Sequence, residues 1–278
     1  MSLNQQATHL KHREGAPAGT RYIAIASGKG GVGKTILSLS AGRCLAESGK
    51  KVLIIDADFG LSNVHLMLGI TPKKNLAHFF FGEATFDEIT VQVNDNLSFI
   101  SSGNGIYELA KLPKEQILNL VRRLQELAED NYAYVIFDTP PGIHEDTVAV
   151  VSSADFPLVI TTPEPTAVAD AYALIKIINK ENDVKDFYLV VNKVESEREG
   201  AKVYESIRLL TERYTTAKLN FVGTIRYRKS LIRRIIEQNP FEKGFMGDVY
   251  NILTGMDVEV APPRRSFWES VLARLLGR

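Results

Sequence analysis

Short apolar runs separated by helix-like stretches recur along the chain, and they restrict its fold more than any other feature. The runs are Tyr22–Ala26, Val52–Ile55, Leu97–Ile100, Tyr134–Phe137, Pro157–Thr161, Phe187–Val191 and Asn220–Gly223. They are rich in β-branched and aromatic residues, and most lack polar alternation. A strand covered on one face alternates apolar and polar side chains, whereas a strand covered on both faces does not. The runs therefore predict a mostly parallel sheet with helices on both faces. Helical stretches at 34–48, 114–130, 166–180, 199–213 and 229–238 supply the covering layers. Such alternation is that of a doubly wound α/β fold. The 278 residues suffice for one domain of this kind with little left over.

The flanks read differently. Residues 1–19 are polar and close on Gly15-Ala16-Pro17-Ala18-Gly19, as a mobile arm does. The α/β domain is expected over 20–253. A linker follows over 254–265, marked by Gly255, Pro262, Pro263, Arg264 and Arg265, and then a short helix over 266–278.

Composition closes several routes. Lys plus Arg number 33 and Asp plus Glu number 33, so there is no global basic field for nucleic acid. Cys44 is the one cysteine, which excludes an internal disulfide and a cysteine-based zinc or iron–sulfur site within one chain. It fits a reducing compartment, and a buried packing role is expected for it. The N-terminus has no apolar signal core, and no stretch reaches the roughly 18–20 apolar residues of a spanning helix. A cytoplasmic protein is expected.

The chemistry begins at Gly28-Lys29-Gly30-Gly31-Val32-Gly33-Lys34-Thr35, between a buried strand and a helix. Glycines let successive backbone N–H groups converge on phosphate oxygens, and the helix N-terminus adds its positive end. In a loop of this pattern Lys34 reaches the β- and γ-phosphates, and the Thr35 hydroxyl binds Mg²⁺. Gly28, Gly30, Gly31, Val32 and Gly33 supply the cradle. The second strand ends in Asp56-Ala57-Asp58, two carboxylates at i and i+2 that project to one side. The run Val135-Ile136-Phe137 delivers Asp138 toward the same Mg²⁺, and Pro140-Pro141-Gly142 follows it. Ligands of such sheets lie beyond the carboxyl ends of the strands, where all these residues fall.

The run from Ile25 to Asn63, with Asp138-Thr139-Pro140 and Thr162 through Ala171, resembles the MinD/ParA family of deviant Walker A ATPases over roughly residues 20–250. Lys29, the second lysine of the loop, is the mark of that class. Within the family the chain is similar to the FlhG (FleN) group of flagellar number and placement regulators. Three segments carry that similarity: Asp58 through Gly69, Pro163 through Lys176, and Gln6-Ala7-Thr8-His9-Leu10-Lys11. The last resembles the group's activator motif, with Gln5 in place of its leading acid and Lys11 in place of its final Arg. The resemblance implies an ATP-dependent homodimer that is monomeric with ADP and hydrolyses ATP slowly. Lys29 would then cross the dimer to the partner's phosphates, and Asp58 would orient the attacking water. Asp56 would support the Mg²⁺ shell, and Asn192, after the strand ending at Val191, would read the adenine edge. It further implies FlhF-like GTPase and flagellar switch or regulator proteins as partners.

The tail and one basic cluster leave alternatives open. On a helical wheel Phe267, Trp268, Val271, Leu272, Leu275 and Leu276 share about half the circumference, bordered by Arg274 and Arg278. Such a helix suits the surface of an anionic bilayer, or docks on the core or on a partner. Arg226, Arg228, Lys229, Arg233 and Arg234 form either a solvated helix face or a patch for DNA or an acidic protein. Zero net charge and the apolar tail argue against a ParA-type DNA-segregation ATPase. A MinD-type division-site regulator shares the ATPase and the tail, but the long arm before the first strand favours the FlhG group.

Overall fold

The computed structural model describes residues 19–58, 64–103, 114–258 and Val271. The elements run β1 (Arg21–Ala26), α1 (Lys34–Glu47), β2 (Val52–Asp56), α2 (Val64–Leu68), α3 (Leu76–Phe80), α4 (Phe86–Ile89), β3 (Thr90–Asn94) and β4 (Leu97–Ser101). They continue with α5 (Lys114–Asn131), β5 (Tyr134–Asp138), α6 (Glu145–Ser153), β6 (Phe156–Thr161), α7 (Pro165–Asn182), β7 (Asp186–Val194), α8 (Glu197–Tyr214), β8 (Lys218–Arg226), α9 (Lys229–Ile236) and α10 (Lys243–Gly255). One sheet of eight strands has the order β3-β4-β2-β5-β1-β6-β7-β8. All neighbours are parallel except β3, which pairs antiparallel to β4 at the edge. The expected doubly wound α/β architecture is what forms.

The apolar runs are continuous because both faces of the sheet are covered. In β1, Tyr22, Ala24 and Ala26 enter one core, shared with α5, α6, α7 and α8. Ile23 and Ile25 point the other way, into a core shared with α1 and α10. The period of two thus persists in geometry although it is invisible in polarity. β1 lies between β5 and β6. The chain leaves β1 toward β2 on one side and crosses from β5 to β6 on the other. This is the switch point where a crevice opens above the strand ends.

The described structure continues past the expected boundary at 253. α10 runs to Gly255, and Met256 and Val258 are buried in the core under α1. The Val258 carbonyl accepts a hydrogen bond from Tyr134 Oη at 2.7 Å. Apolar side chains at 256 and 258 thus join the core of the domain. Of the expected membrane-facing residues only Val271 is described. It is buried with the α5–α8 core and not presented to solvent. The arm, and Phe267, Trp268, Leu272, Leu275 and Leu276, lie outside the described residues. Among the described residues no helix is long and apolar enough to cross a membrane.

Candidate functional site: a phosphate loop beside two buried carboxylates

The glycine loop joins β1 to α1. The residue capping α1 is Gly33, at φ 105, with no side chain capping the helix and no acid in its first turn. Asn75, Thr85, Ser196 and Glu242 cap α3, α4, α8 and α10 with side-chain acceptors, whereas α6, α7 and α9, like α1, have no side-chain cap. The first N–H groups of α1 are therefore left for an external anion. Lys34, at the start of that helix, is only 8% exposed. Its Nζ donates to Ser27 Oγ at 2.9 Å, and Ser27 Oγ in turn donates to the Lys29 carbonyl at 2.7 Å. Burial lowers the Lys34 pKa, against the pull of Asp138 and Asp58.

Parallel pairing of β2 with β5 sets Asp56 directly opposite Asp138. Both are buried, Asp56 completely and Asp138 to 2% exposure. Burial, and then the neighbouring Asp56, push Asp138 up to about 7, partly offset by hydrogen bonds from Thr35 and Ser38 and by the Lys34 charge. Ser38 Oγ lies 3.1 Å from Asp138 Oδ1. The Asp56 carboxylate accepts from the backbone N–H of Asp58 (3.2 Å) and of Val64 (3.3 Å), so it brackets the intervening segment at both ends. Two buried acids side by side, with hydroxyls aimed at one of them, form an oxygen-donor set short of positive charge. Thr35, Asp138 and Asp56 fit Mg²⁺, which uses one or two carboxylates and takes its other ligands from water and phosphate.

Lys34 and Thr35 line a cavity of about 450 Å³, whereas the buried Asp56 and Asp138 are not among its lining residues. Gly30, Gly31, Gly33, Lys34 and Thr35 form its floor, and Asp58, Thr139 and Pro141 one wall. The backbone of Gly142 is tied to the loop, its N–H donating to the Ser27 carbonyl at 2.9 Å. Asn192 and Lys193 form the opposite wall. Sequence reasoning missed the roof: Met67 from α2, and Tyr227, Leu231, Ile232 and Ile235 around α9. Its signal was the apolar spacing Leu231, Ile232, Ile235, Ile236 inside a segment read mainly for its cations. A second cavity, about 530 Å³, opens beside α3 and α4 among Phe79, Phe80 and Phe81 and contains none of the expected site residues.

Two expected residues are engaged elsewhere in this chain. Lys29 does not line the cavity; its Nζ pairs with Glu164 at 2.6 Å and donates to Thr166 Oγ1 at 2.9 Å, at the start of α7. That contact holds the exposed Glu164 carboxyl below the usual range. Asn192 sits at the end of β7, but its amide Nδ2 donates to the Val32 carbonyl at 2.7 Å and its Oδ1 accepts from the Lys193 N–H at 2.8 Å.

Residues 20–189 match the family model described as AAA domain. The chain is 31% identical over 225 residues to the antiactivator FleN of Pseudomonas aeruginosa, covering 81% of this chain and 80% of that one. It is 32% identical over 241 residues to the flagellum site-determining protein YlxH of Helicobacter pylori, covering 84% and 78%. The chain belongs to the FlhG/FleN group of MinD-like ATPases. As a member of that group it binds ATP and hydrolyses it. Solved structures agree on the fold. The MinC:MinD cell division complex of Aquifex aeolicus superposes with a TM-score of 0.68 at 25% identity, covering 88% of this chain and 99% of that one. MinD of Pyrococcus horikoshii, complexed with Mg-ADP, superposes with a TM-score of 0.66 at 20% identity, covering 86% and 96%.

Against the FlhG/FleN background the basic cluster changes meaning. Arg228 donates to Asp248 Oδ2 at 2.7 Å and lies 3.8 Å from Glu242. Arg226 lies 3.6 Å from Glu197, and Arg233 pairs with Glu237 at 3.0 Å. Much of the positive charge is neutralised within the chain, and Arg228 serves to fasten the start of α9 to α10. Cys44 is buried packing, and burial pushes its thiol up to about 11.

Proposed function

We propose that this FlhG/FleN-group ATPase is a nucleotide-state switch, a dimer with ATP and a monomer with ADP, whose slow hydrolysis times its residence on the inner membrane surface and sets flagellar number or placement. The observation that carries the reading is Lys29. It belongs to the phosphate loop, yet it does not line its own cavity, and its side chain is 38% exposed, held by Glu164 and Thr166. A lysine so placed adds nothing to its own chain's phosphates and is available to a second chain facing the loop. There it would stabilise charge on the transferred phosphoryl.

Within each subunit Lys34 and the α1 N-terminus bind the phosphates. Thr35, Asp138 and Asp56 hold Mg²⁺, which neutralises phosphate charge when bound. Asp58 at the cavity lip orients the attacking water. Its backbone N–H donates to the Asp56 carboxylate, which couples Asp58 to the group that would support the Mg²⁺ shell. The 266–278 helix is the membrane contact. Val271 is buried with the core, so its exposure to a bilayer requires that it leave this position. One short amphipathic helix binds weakly and two in a dimer bind by avidity, which couples ATP to the bilayer. We infer a cytoplasmic protein that visits the membrane, with an FlhF-like GTPase or flagellar regulators as partners, a reading in keeping with the flagellar name of one relative. A MinD-type role at the division site is the competing assignment, and partner capture separates the two.

The test is light scattering on Asp58→Ala, with ADP and with ATP, in the presence and absence of anionic liposomes. A monomer in ADP that becomes a membrane-bound dimer in ATP is expected. A size indifferent to nucleotide would remove the switch.

A further inference from the structure

The roof of the cavity is a helix without a buried side chain. In α9 Leu231 and Ile235 pack on the core but are only half-buried, and no side chain caps the first turn. Ile232 and Ile236 are 46% and 76% exposed. Hydrophobic stabilisation scales with the apolar area removed from water, so this packing alone fixes α9 weakly. Polar ties at its ends therefore set where it sits.

The tie at the start of α9 is Arg228. Its Nη1 donates to Asp248 Oδ2 at 2.7 Å and to the Arg226 carbonyl at 3.2 Å, and its Nε lies 3.8 Å from Glu242 Oε2. Asp248 Oδ2 also accepts from the Arg226 N–H at 3.4 Å. Glu242 caps α10 by accepting from the Phe245 N–H at 2.7 Å. One guanidinium thus joins the chain leaving β8 to two acids of α10, a helix that is itself anchored by the buried Phe245, Val249 and Ile252. The Arg228, Glu242 and Asp248 side chains are 20%, 19% and 24% exposed, so water screens their attraction less than it does for a surface pair. Gly244 leaves room for the guanidinium, since a Cβ there would lie 2.9 Å from Arg228 Nε. We propose that Arg228, Asp248 and Glu242 form a clasp that holds the α9 roof over bound nucleotide and so sets how long the nucleotide stays. Arg228 is a positioning residue in this role, acting through Tyr227, Leu231, Ile232 and Ile235, which line the cavity. Nucleotide leaves when the roof lifts, and lifting it breaks the charge-assisted hydrogen bonds of the clasp. The proposal rests on the cavity being the nucleotide site.

Arg228 also lines the cavity, so a clasp has to be separated from a direct contact with nucleotide. Release of a fluorescent ADP analogue, chased with excess ADP, is followed by stopped flow for the wild type, Arg228→Met, Arg228→Lys, Asp248→Asn and Gly244→Ala. Arg228→Met and Asp248→Asn are each expected to release the analogue about tenfold faster, the scale of one charge-assisted hydrogen bond. The double variant Arg228→Met/Asp248→Asn stays within about twofold of either single variant, because both remove the same tie. Arg228→Lys keeps the charge and recovers part of the retention. Gly244→Ala displaces the guanidinium without touching the cavity. It releases faster too, while its melting temperature does not fall, since Ala favours a helix over Gly. Wild-type release from both Asp248→Asn and Gly244→Ala would overturn the clasp and leave Arg228 a direct contact, as would fully additive effects in the double variant. A wild type that does not bind the analogue would instead remove the nucleotide site itself. Gly244→Ala raises helix propensity, so it reports even if the charge variants fail to fold.

Discussion

Asp58 stands at the lip of the cavity with its backbone held twice, its N–H on Asp56 and its carbonyl accepting from Ser102 Oγ at 3.3 Å. Removing its carboxylate leaves those contacts in place. Asp58→Ala is expected to bind ATP within about threefold of the wild type and to hydrolyse it at least ~10²-fold more slowly, as loss of a water-orienting base does. Normal turnover would exclude the role. Lys29→Ala should lose hydrolysis by ~10²-fold or more and weaken ATP-dependent dimerisation, with the melting temperature nearly unchanged because its partner Glu164 is exposed. Asp138 provides a pH test. Its folded pKa lies near 7, above the ordinary value of 3.8, so the folded protein holds a proton that the unfolded chain releases. That contribution to stability is complete below about pH 4 and is lost as pH rises through 7. Asp138→Asn should flatten this part of the pH–stability curve in nucleotide-free, Mg²⁺-free protein, read by urea unfolding between pH 4 and 8. These residues were legible in the sequence because motif order alone identifies them. The actual contacts of Asn192 and Lys29 were not, because they depend on how close β7 and α7 come to the loop.

Elements pack against the loop as closely as side chains do. A Cβ on Gly28 would meet the Asp170 backbone of α7 at 2.4 Å, so the loop and α7 touch through main chain. Gly28→Ala is expected to cost about 1–3 kcal/mol by urea denaturation and to weaken ADP binding, since backbone cannot yield as a flexible side chain can. Wild-type stability in that variant would mean that loop and helix separate freely. The tail makes an element-scale prediction too. Removing residues 264–278 should abolish pelleting with anionic liposomes and leave ADP binding intact; unchanged pelleting would leave the tail a packing role only. Five helices escaped the sequence reading: the short α2, α3 and α4, and also α6 and α10. α10 contains Gly244 and Gly247 and ends at Gly255, a composition poor in helix propensity. It forms because Phe245, Val249, Ile252 and Leu253 bury against α1 and β8. α6 is short and carries Val148, Val150 and Val151, which suit strands as well; its place between β5 and β6 decides for helix. The edge strand β3 was also missed, since a single half-buried run beside a short helix gives little signal.

For the molecule as a whole, the cavity opens at the carboxyl ends of the strands, while the Val258 carbonyl accepts from Tyr134 at the opposite end of the sheet. The 30.9 kDa chain should scatter light as a monomer with ADP. With ATP the Asp58→Ala protein should give twice that mass, and deletion of 264–278 should not alter this doubling. If the deletion prevents the dimer, the tail belongs to the interface.

The sequence by itself determined the sheet, its largely parallel order and the residues that meet at its carboxyl edge. These follow from local rules, since apolar runs buried on both faces need helices above and below, and a glycine loop between strand and helix exposes N–H groups to an anion. Only the tertiary structure decided which partner each group takes. Asp56 and Asp138, 82 positions apart in sequence, become neighbours because β2 and β5 pair in register, and burial beside Asp56 raises the Asp138 pKa. Asn192 and Lys193 meet the loop because β7 lies two strands from β1, and α9 roofs the cavity because Arg228 is fastened to Asp248. Distances between residues remote in sequence are fixed by packing, which no single segment encodes.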